Sequence, residues 1–456
     1  MGGLAKAPIT DRQKFGMVTI DLLGADAGDR AAVVGRLAAL FPDAVRHQSV
    51  DSVERIAIRG GRQAALERLA GIDPVAYART RNHVGGAVTG LSAWIRHGVL
   101  SLAEVRDHAL AHVRVPEDAT KLVSELGWRD YWRQVHAALG PAIRDDVEAP
   151  AALRRGGWPH DRVPDDVLGG ATGLACIDAF VRRLHETGWL HNHERMWLAS
   201  WLVHVRGVRW QAGADWFLEH LLDGDPASNH LSWQWIAGTF SAKPYLFNRE
   251  NLEAFTDGVH CGGCPVRGRC DVEGTYDDLA ARLFASPGGA GRGPLRIPPA
   301  PPWRPGRAGA GPRRPLVWLT LDSLAATSPA AARHPHAPRL FVFDDAWLAA
   351  ERPTLKRLLF VAECLAEIPG VEIRRGDPAL LLAATAAALG CDGVALADTP
   401  CPRARRQAEA VAAALPVAVE PWPAFCRRGG VRDLGRFSRY WSSVAASALE
   451  PTSGGA

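Results

Sequence analysis

The sequence lacks long hydrophobic runs: no apolar stretch reaches the 18 residues that would indicate a membrane-spanning helix. The beginning, MGGLAKAPITDRQK, also lacks the apolar core of a signal peptide. We therefore expect a cytoplasmic protein without a membrane partner, in which clustered cysteines remain reduced and favour a metal site over disulfides. The formal net charge is only +4, which permits an anionic partner without requiring one.

The length of 456 residues is too great for one hydrophobic core, so two or three domains are expected. No internal repeat is visible, and the hydrophobic share of 47% is ordinary for a globular protein. The predicted segments are a flexible tail (1–14), a small α/β lead-in (15–74), a helical domain (75–285), a Gly/Pro-rich linker (286–314), an α/β domain (315–426) and a basic, partly helical tail (427–456).

The spacing of apolar residues changes at the linker. Before it, segments such as LSAWIRHGVLS and ADWFLEHLLDG carry apolar residues at intervals of three and four, which is typical of helices. After it, LVWLTL, RLFVFD and GVALA are short apolar strands that alternate with helical stretches, as in a parallel sheet. The predicted fold class is α/β plus all-α, with a Rossmann-like domain following the helical one.

Four separated motifs lie in the helical part. They are TGLSAWIRHGVLS (89–101), SELGWRDYW (124–132), TGLACIDAFVRRLHETGWLHNHERMWLASWL (172–202) and DGDPASNHLSWQW (223–235). In this order they resemble the FAD-binding domain of the photolyase/cryptochrome family. The resemblance implies a helical domain with bound FAD and blue-light-driven electron transfer.

The first motif offers hydroxyl groups at a predicted helix start. Thr89 and Ser92 suit a flavin pyrophosphate, although either could simply cap the helix. The resemblance further implies that Arg195 and Asp223 form an ion pair beside the flavin, for which a structural buried pair is the alternative. The other cofactor-binding residues it implies are Asp225 at the cofactor hydroxyls, Asn229 facing flavin N5, Tyr77 and Asn192.

Tryptophan is abundant, and eleven of the sixteen indoles fall between Trp94 and Trp235. Most tryptophans in a helical domain are core residues. Three of them match positions of the family's electron-transfer chain, and the resemblance therefore implies this role for Trp233, Trp210 and Trp158.

The resemblance also implies a pocket for a damaged dinucleotide flipped out of DNA. The positions that match this pocket in enzymes repairing cyclobutane pyrimidine dimers are Glu125, Trp128, Asn192, Met196 and Trp235. Two residues depart from the pattern. His193 replaces an arginine that contacts lesion phosphates, and Leu122 replaces a frequent tryptophan, so weaker DNA binding is expected.

The stretch CGGCPVRGRC holds three cysteines in ten residues, and a thiolate metal site normally has four ligands. It follows KPYLFN (243–248), which resembles the iron–sulfur branch of bacterial photolyases and cryptochromes. That branch implies a 4Fe-4S cluster on Cys176, Cys261, Cys264 and Cys270. Zinc or no metal, with Cys176 as a core residue, are the alternatives, because the last two cysteines are closer together than is usual in the branch.

The α/β region resembles the domain that normally precedes the helical domain in this family. The matching segments begin PLVWLTLDSLAATSPAAARHPHAPRLFVFDD and RRGDPALLLAATAAALG. We therefore expect a circular permutation joined through the linker, which surface break points tolerate. An unrelated doubly wound domain is the alternative, and no antenna chromophore is indicated.

The resemblance implies a light-dependent, photolyase-like lyase in which photoexcited reduced FAD donates an electron to a cyclobutane pyrimidine dimer in damaged DNA. A second hypothesis is a cryptochrome-like blue-light or redox receptor that signals through a protein partner without repair. A third is a light-independent flavin–cluster redox protein.

Overall fold

The computed structural model describes residues 18–19, 22, 29–46, 50–287, 293–306 and 311–451. The predicted flexible tail (1–14) lies outside these residues, as do parts of the predicted linker at 288–292 and 307–310. Within the described ranges, no helix combines the length and apolarity needed to cross a membrane.

The first two thirds of the described chain is mainly helical. The helices are α1 Arg30–Leu40, α2 Val50–Glu54, α3 Arg62–Ala70, α4 Pro74–Thr80, α5 Ser92–Arg96, α6 Leu102–Ala111, α7 Thr120–Leu139, α8 Asp165–Leu168, α9 Ala175–Thr187, α10 Asn192–Ser200, α11 Trp210–His220, α12 Pro226–Ala237, α13 Arg249–Thr256 and α14 Tyr276–Leu283. A π-helical turn, Trp201–Val205, continues α10. The helix ends follow local chemistry: Asp225 caps α12 before Pro226, and Gly238 ends it with a φ of 82°.

The last third forms a doubly wound sheet. Its strands are β1 Val18–Thr19, β4 Pro315–Leu319, β5 Arg339–Asp344, β6 Val371–Gly376, β7 Gly393–Ala397 and β8 Val417–Glu420, in the spatial order β1-β6-β5-β4-β7-β8. Strands β4 to β8 are mutually parallel, and β1 pairs antiparallel with β6 at one edge. The helices are α15 Pro329–Arg333, α16 Asp345–Glu351, α17 Leu355–Ala366, α18 Pro378–Ala388, α19 Pro402–Ala412 and, after the sheet, α20 Phe437–Ala448.

The predicted fold class is confirmed: a helical region precedes a parallel α/β region. All five residues of β4 and of β7 are buried, because helices cover both faces of a parallel sheet. The five parallel strands lie in the order third, second, first, fourth, fifth, which is the Rossmann arrangement.

The N-terminal segment joins the C-terminal sheet. Strand β1 is the sheet's edge strand, and α1 packs against α17, where Arg30 Nε lies 2.8 Å from Glu363 Oε1. A second strand pair, β2 Ala152–Arg154 with β3 Phe284–Pro287, extends into the first two residues of the predicted linker. Local periodicity does not reveal such pairings, because their partners are distant in sequence.

Two large cores position the candidate site. One surrounds α5, α6, α7 and the sheet face covered by α17, and the other surrounds α9, α10, α11 and α12. The helices that carry the four motifs meet where these cores adjoin.

Candidate functional site

One cavity of about 490 Å³ collects most of the predicted site residues. Its walls come from α4, α5, α7, α10, α11, α12 and the loops between them. The predicted residues that line it are Tyr77, Thr89, Ser92, Glu125, Trp128, Asn192, Arg195, Met196, Asp223, Asn229, Trp233 and Trp235. The volume lies in the ordinary range for ligand sites. The predicted cofactor and lesion residues therefore share one space.

The predicted Arg195–Asp223 ion pair is present in this cavity. Arg195 Nη1 lies 3.0 Å from Asp223 Oδ2, and Arg195 Nε donates to Leu190 O at 3.0 Å. Burial alone raises a carboxyl pKa, but Arg195, Arg129 and the Ser92 hydroxyl outweigh it and hold the pKa of Asp223 below its ordinary value. Among the described residues the buried Asp223 Oδ1 has no hydrogen-bond partner, so a carboxylate oxygen is left for a ligand donor.

Asp225 differs from the other predicted cofactor residues, since it does not line the 490 Å³ cavity. Its Oδ1 accepts from Ala227 N at 3.2 Å at the start of α12, and its Oδ2 pairs with Arg129 Nη1 at 3.2 Å. Although burial opposes ionisation, Arg96 and Arg129 lower the pKa of this carboxyl. Asp225 therefore holds the wall of the cavity in place.

The two hydroxyl residues of the first motif do not cap α5, whose N-cap residue is Leu91. Thr89 Oγ1 accepts from Leu91 N at 3.4 Å in a local turn, and the Ser92 hydroxyl helps to lower the pKa of Asp223. Across the cavity, Asn229 Nδ2 donates to Ala214 O at 2.8 Å, which leaves its amide oxygen available. These residues therefore present acceptors and hydroxyls to one ligand.

The lesion-side residues form another part of the wall. Glu125 lies between Lys121 Nζ at 2.7 Å and Arg81 Nε at 3.6 Å, so positive groups surround it. Trp128 stacks on Phe437 of α20, with ring centroids 3.8 Å apart and an interplanar angle of 12°. Met196 Sδ accepts from Asn192 Nδ2 at 3.2 Å, and Trp235 packs on Tyr245.

The two departures from the family pattern lie in different places. His193 lines the cavity, and within the described ranges its buried Nδ1 has no hydrogen-bond partner. Burial, followed by the neighbouring His191, lowers the pKa of His193 to about 4, so this ring is neutral at physiological pH. Leu122 is 1% exposed in the core and does not line the cavity.

The three predicted electron-transfer tryptophans have different surroundings. Trp233 lines the cavity, is 3% exposed and packs edge-on against Phe217. Trp210 begins α11, and its Nε1 donates to Asp146 Oδ1 at 2.6 Å. Trp158 is half-buried against the same core. Neither Trp210 nor Trp158 lines the cavity.

The four predicted metal ligands surround a separate small cavity. Cys176, Cys261, Cys264 and Cys270 all line a space of about 20 Å³ together with Arg249, His260 and Arg267. No group of three or more His, Cys, Asp or Glu side chains within the described ranges is arranged to hold a metal ion. Burial, followed by the neighbouring Cys261, raises the pKa of Cys176 to about 12, while burial and Glu253 raise that of Cys261 to about 11.

Comparison with known proteins identifies the helical region. A family model described as the FAD binding domain of DNA photolyase matches residues 122–257. The deoxyribodipyrimidine photo-lyase of Streptomyces griseus is 37% identical over 158 residues, which are 34% of this chain and 33% of that protein. The cryptochrome DASH of a Synechocystis species is 33% identical over 210 residues, covering 42% of this chain and 40% of that protein.

Residues 122–257, within the helical region, match the FAD-binding domain of the photolyase/cryptochrome family. The predicted family resemblance is thereby confirmed. The chain spans about a third of the length of the photo-lyase and two fifths of that of the cryptochrome.

Solved structures also match part of the chain. A bacterial class III photolyase from Agrobacterium tumefaciens matches with a TM-score of 0.37 and 27% identity, covering 44% of each chain. A cryptochrome from a Synechocystis species matches with a TM-score of 0.39 and 27% identity, covering 45% of each chain.

A group of arginines that no sequence motif indicated lies behind the 490 Å³ cavity. Gly224, between the two aspartates of the DGD motif, accepts through its carbonyl from Arg96 Nε at 2.9 Å and Arg357 Nη2 at 3.2 Å. Arg357 belongs to α17 of the α/β region, so that region directly fixes a loop of the FAD-binding domain. No local motif links the two segments, since 133 positions separate Gly224 from Arg357.

Proposed function

We propose that this protein is a light-dependent DNA repair flavoprotein of the deoxyribodipyrimidine photolyase type, with damaged DNA as its partner. In this proposal, photoexcited reduced FAD supplies the electron that splits a cyclobutane pyrimidine dimer. The carrying observation is the shared cavity: the same 490 Å³ space is lined by the residues expected to hold a flavin and those expected to hold a lesion. Relatives named deoxyribodipyrimidine photo-lyase support this choice.

The charged and polar groups that line the cavity fit a flavin. The Arg195 guanidinium lies beside the cavity with its partner Asp223, and a fixed positive charge can stabilise negative charge on a bound flavin ring. Asp223 Oδ1 and the Asn229 amide oxygen can accept hydrogen bonds from the ligand. Ser92, at the start of α5, helps to lower the pKa of Asp223.

The apolar and aromatic residues of the cavity lining suit an unstacked pyrimidine pair. The Trp128 indole offers an aromatic face, and Met196 and Trp235 add apolar surface, as base-flipping pockets require. Glu125 can accept hydrogen bonds from base edges, while Lys121 and Arg81 beside it can attract DNA phosphates.

We further propose that Trp233, Trp210 and Trp158 carry electrons toward the flavin site. The burial of Trp233 in the cavity wall supports its place as the first donor. Replacing Trp233 by Phe should abolish photoreduction of bound FAD, whereas replacing Trp216, a buried indole outside the cavity lining, should leave it unchanged. Equal photoreduction in both variants would contradict the route.

For the four cysteines we propose a 4Fe-4S cluster in a cytoplasmic, reducing environment. All four thiols line one cavity, and three of them come from a single segment that follows α13. Cluster ligation would retain all four as thiolates.

The cluster is tested by metal analysis of anaerobically purified protein. We expect about four iron and four sulfide ions per chain, lost in Cys176→Ser but retained in Cys401→Ser, whose cysteine lies in the α/β region. One zinc per chain, or no metal in the wild type, would refute the cluster.

The repair proposal is tested with a thymine-dimer oligonucleotide and reduced, FAD-loaded protein. Dimer loss under blue light but not in matched darkness is expected, and Trp128→Ala should slow it. No dimer loss, despite bound and photoreducible FAD, would refute repair of this lesion.

A cryptochrome-like receptor with a protein partner is the second candidate. The specific observation in its favour is the neutral His193 in the cavity wall, where an arginine would contact lesion phosphates. Relatives named cryptochrome DASH give it further support. It predicts light-dependent flavin chemistry together with equal affinity for damaged and undamaged DNA.

We also propose that the chain is circularly permuted, with its Rossmann-like region moved behind the FAD-binding domain. The five parallel strands lie in the third-second-first-fourth-fifth order within residues 315–420, which supports a unit that could be moved, although β1 of the N-terminal segment pairs with its edge. A rearranged gene that places residues 311–451 first should yield a folded, FAD-binding protein. Failure of the rearranged protein to fold would contradict the proposed permutation.

A further inference from the structure

A three-ring aromatic stack connects the C-terminal helix α20 to the cavity wall. The Trp128 and Phe437 rings are 3.8 Å apart at 12°, and the Phe437 and Trp441 rings are 5.9 Å apart at 16°. All three rings are therefore nearly parallel. Trp128 belongs to α7, while the other two belong to the segment predicted as a basic, partly helical tail (427–456).

This stack is held firmly in place. Asp130 lies two residues after Trp128 on α7. It accepts hydrogen bonds from Tyr440 Oη and from Arg428 Nε, the latter at 3.0 Å. Asp130 is 3% exposed and Tyr440 is completely buried. A Cβ at Gly127 would lie 2.5 Å from the Trp441 ring, so α7 and α20 approach closely because position 127 has no side chain. The C-terminal helix is thus an integral support of α7.

The stack is also one-sided. Trp128 lines the 490 Å³ cavity, but Phe437 and Trp441 do not. Tyr131 and Trp132 contact the indole edge-on or tilted, so among the described rings Phe437 is the one stacked parallel on Trp128, and the other indole face has no parallel ring on it. Unstacked nucleobases bind to such faces, because each base has a π-surface that can continue a parallel stack.

We propose that Phe437 is a positioning residue for nucleobase recognition: by stacking behind Trp128, it fixes the indole plane against which a flipped pyrimidine packs. This inference rests on the proposed repair function and deepens it, since it assigns part of the lesion specificity to the C-terminal helix. Without Phe437 the indole would be free to tilt, and a base would have to restrict that motion on binding. Aromatic pairs of this kind contribute about three- to tenfold in affinity.

The test is dark binding of the full-length, FAD-loaded protein to two duplexes, one with a thymine dimer and one undamaged. Phe437→Leu should lower the preference for the dimer duplex by about three- to tenfold. Phe437→Tyr, which keeps the ring, should retain the wild-type preference. The flavin absorption spectrum should be the same in all three proteins.

Val444→Ala is the matched control. Val444 is buried on α20 but outside the aromatic stack, so its truncation weakens helix packing without removing a ring. An unchanged preference in Phe437→Leu would overturn the proposal, and so would an equal loss in Val444→Ala.

A wild-type protein without dimer preference would refute the repair function and not by itself the positioning role. In that case a single-stranded thymine oligonucleotide provides the decisive ligand. Weaker binding in Phe437→Leu but not in Phe437→Tyr would then support the positioning of Trp128. Equal binding of the wild type and both variants would overturn it.

Discussion

Single side chains explain most clearly how the cavity is prepared for a charged or polar ligand. The buried Asp223 carboxylate has one oxygen paired with Arg195 and one oxygen without a protein partner in the described ranges. Because the pKa of Asp223 is held below its ordinary value, the pair is ionised throughout neutral and mildly acidic pH. The stabilisation of the folded protein by the Arg195–Asp223 pair is lost only when the pH falls through that lowered pKa.

Asp223→Asn should therefore weaken FAD binding. Removing the charge leaves the Arg195 guanidinium without its partner beside the cavity, and a hydrogen bond to a charged group contributes about 1.5–3 kcal/mol, or roughly 10- to 100-fold. The increase in flavin fluorescence as FAD dissociates on dilution measures this loss of affinity directly. Asp166→Asn, which removes a surface pair with Arg206, is the control and should retain FAD.

At the residue scale the structure brings together residues of all four motifs, from helices and from the loops beside them. Twelve of the predicted residues line one cavity, while Asp225 supports the wall from behind. The Asp225–Arg129 hydrogen bond was not predictable, since 96 positions separate the two residues.

Among whole elements, the contact between α11 and α12 determines where Trp233 lies. Gly213 of α11 faces this indole, and a Cβ there would be 2.3 Å from the ring. The glycine is therefore required by the close approach of the two helices.

Gly213→Ala should destabilise the protein by about 1–3 kcal/mol through overpacking, even though alanine favours helices. Gly35→Ala is the matched control, because Gly35 is exposed within α1 and has no atom within 4 Å of an added Cβ. That variant should be up to about 1 kcal/mol more stable. Chemical denaturation compares both, and equal stability of the two variants would contradict the packing argument.

The sequence predicted the type of most elements, because apolar spacing reflects local burial. It did not predict that β1 completes the C-terminal sheet or that α20 supports α7. Both features depend on long-range pairing, and neither leaves a periodic signal in the short segment itself.

For the molecule as a whole, a buried lysine joins the α/β region to the helical region. Lys356 of α17 is 1% exposed, and its Nζ lies 2.9 Å from His185 O and 3.1 Å from His220 Nδ1. Burial, followed by the adjacent Arg357, lowers the pKa of Lys356 to about 7. Between this value and the pKa of about 10.4 for an exposed lysine, the unfolded chain binds more protons than the folded one.

The free energy of unfolding should therefore rise with pH across this window through the Lys356 contribution, by up to about 1.4 kcal/mol per pH unit. Lys356→Met should remove that part of the rise, so the free energy of unfolding should rise less steeply in the variant than in the wild type from pH 7 to pH 10. Urea denaturation at several pH values measures the free energy of unfolding of both proteins. Parallel curves of unfolding free energy against pH for the two proteins would contradict the burial of a neutral lysine at this interface.

The central claim is that FAD and a damaged dinucleotide occupy the same cavity, and the most direct test is a difference spectrum of bound FAD on adding DNA in darkness. A thymine-dimer duplex should shift the flavin absorption bands as it binds, and an undamaged duplex should not. A dimer duplex that binds tightly without any shift would contradict the shared cavity.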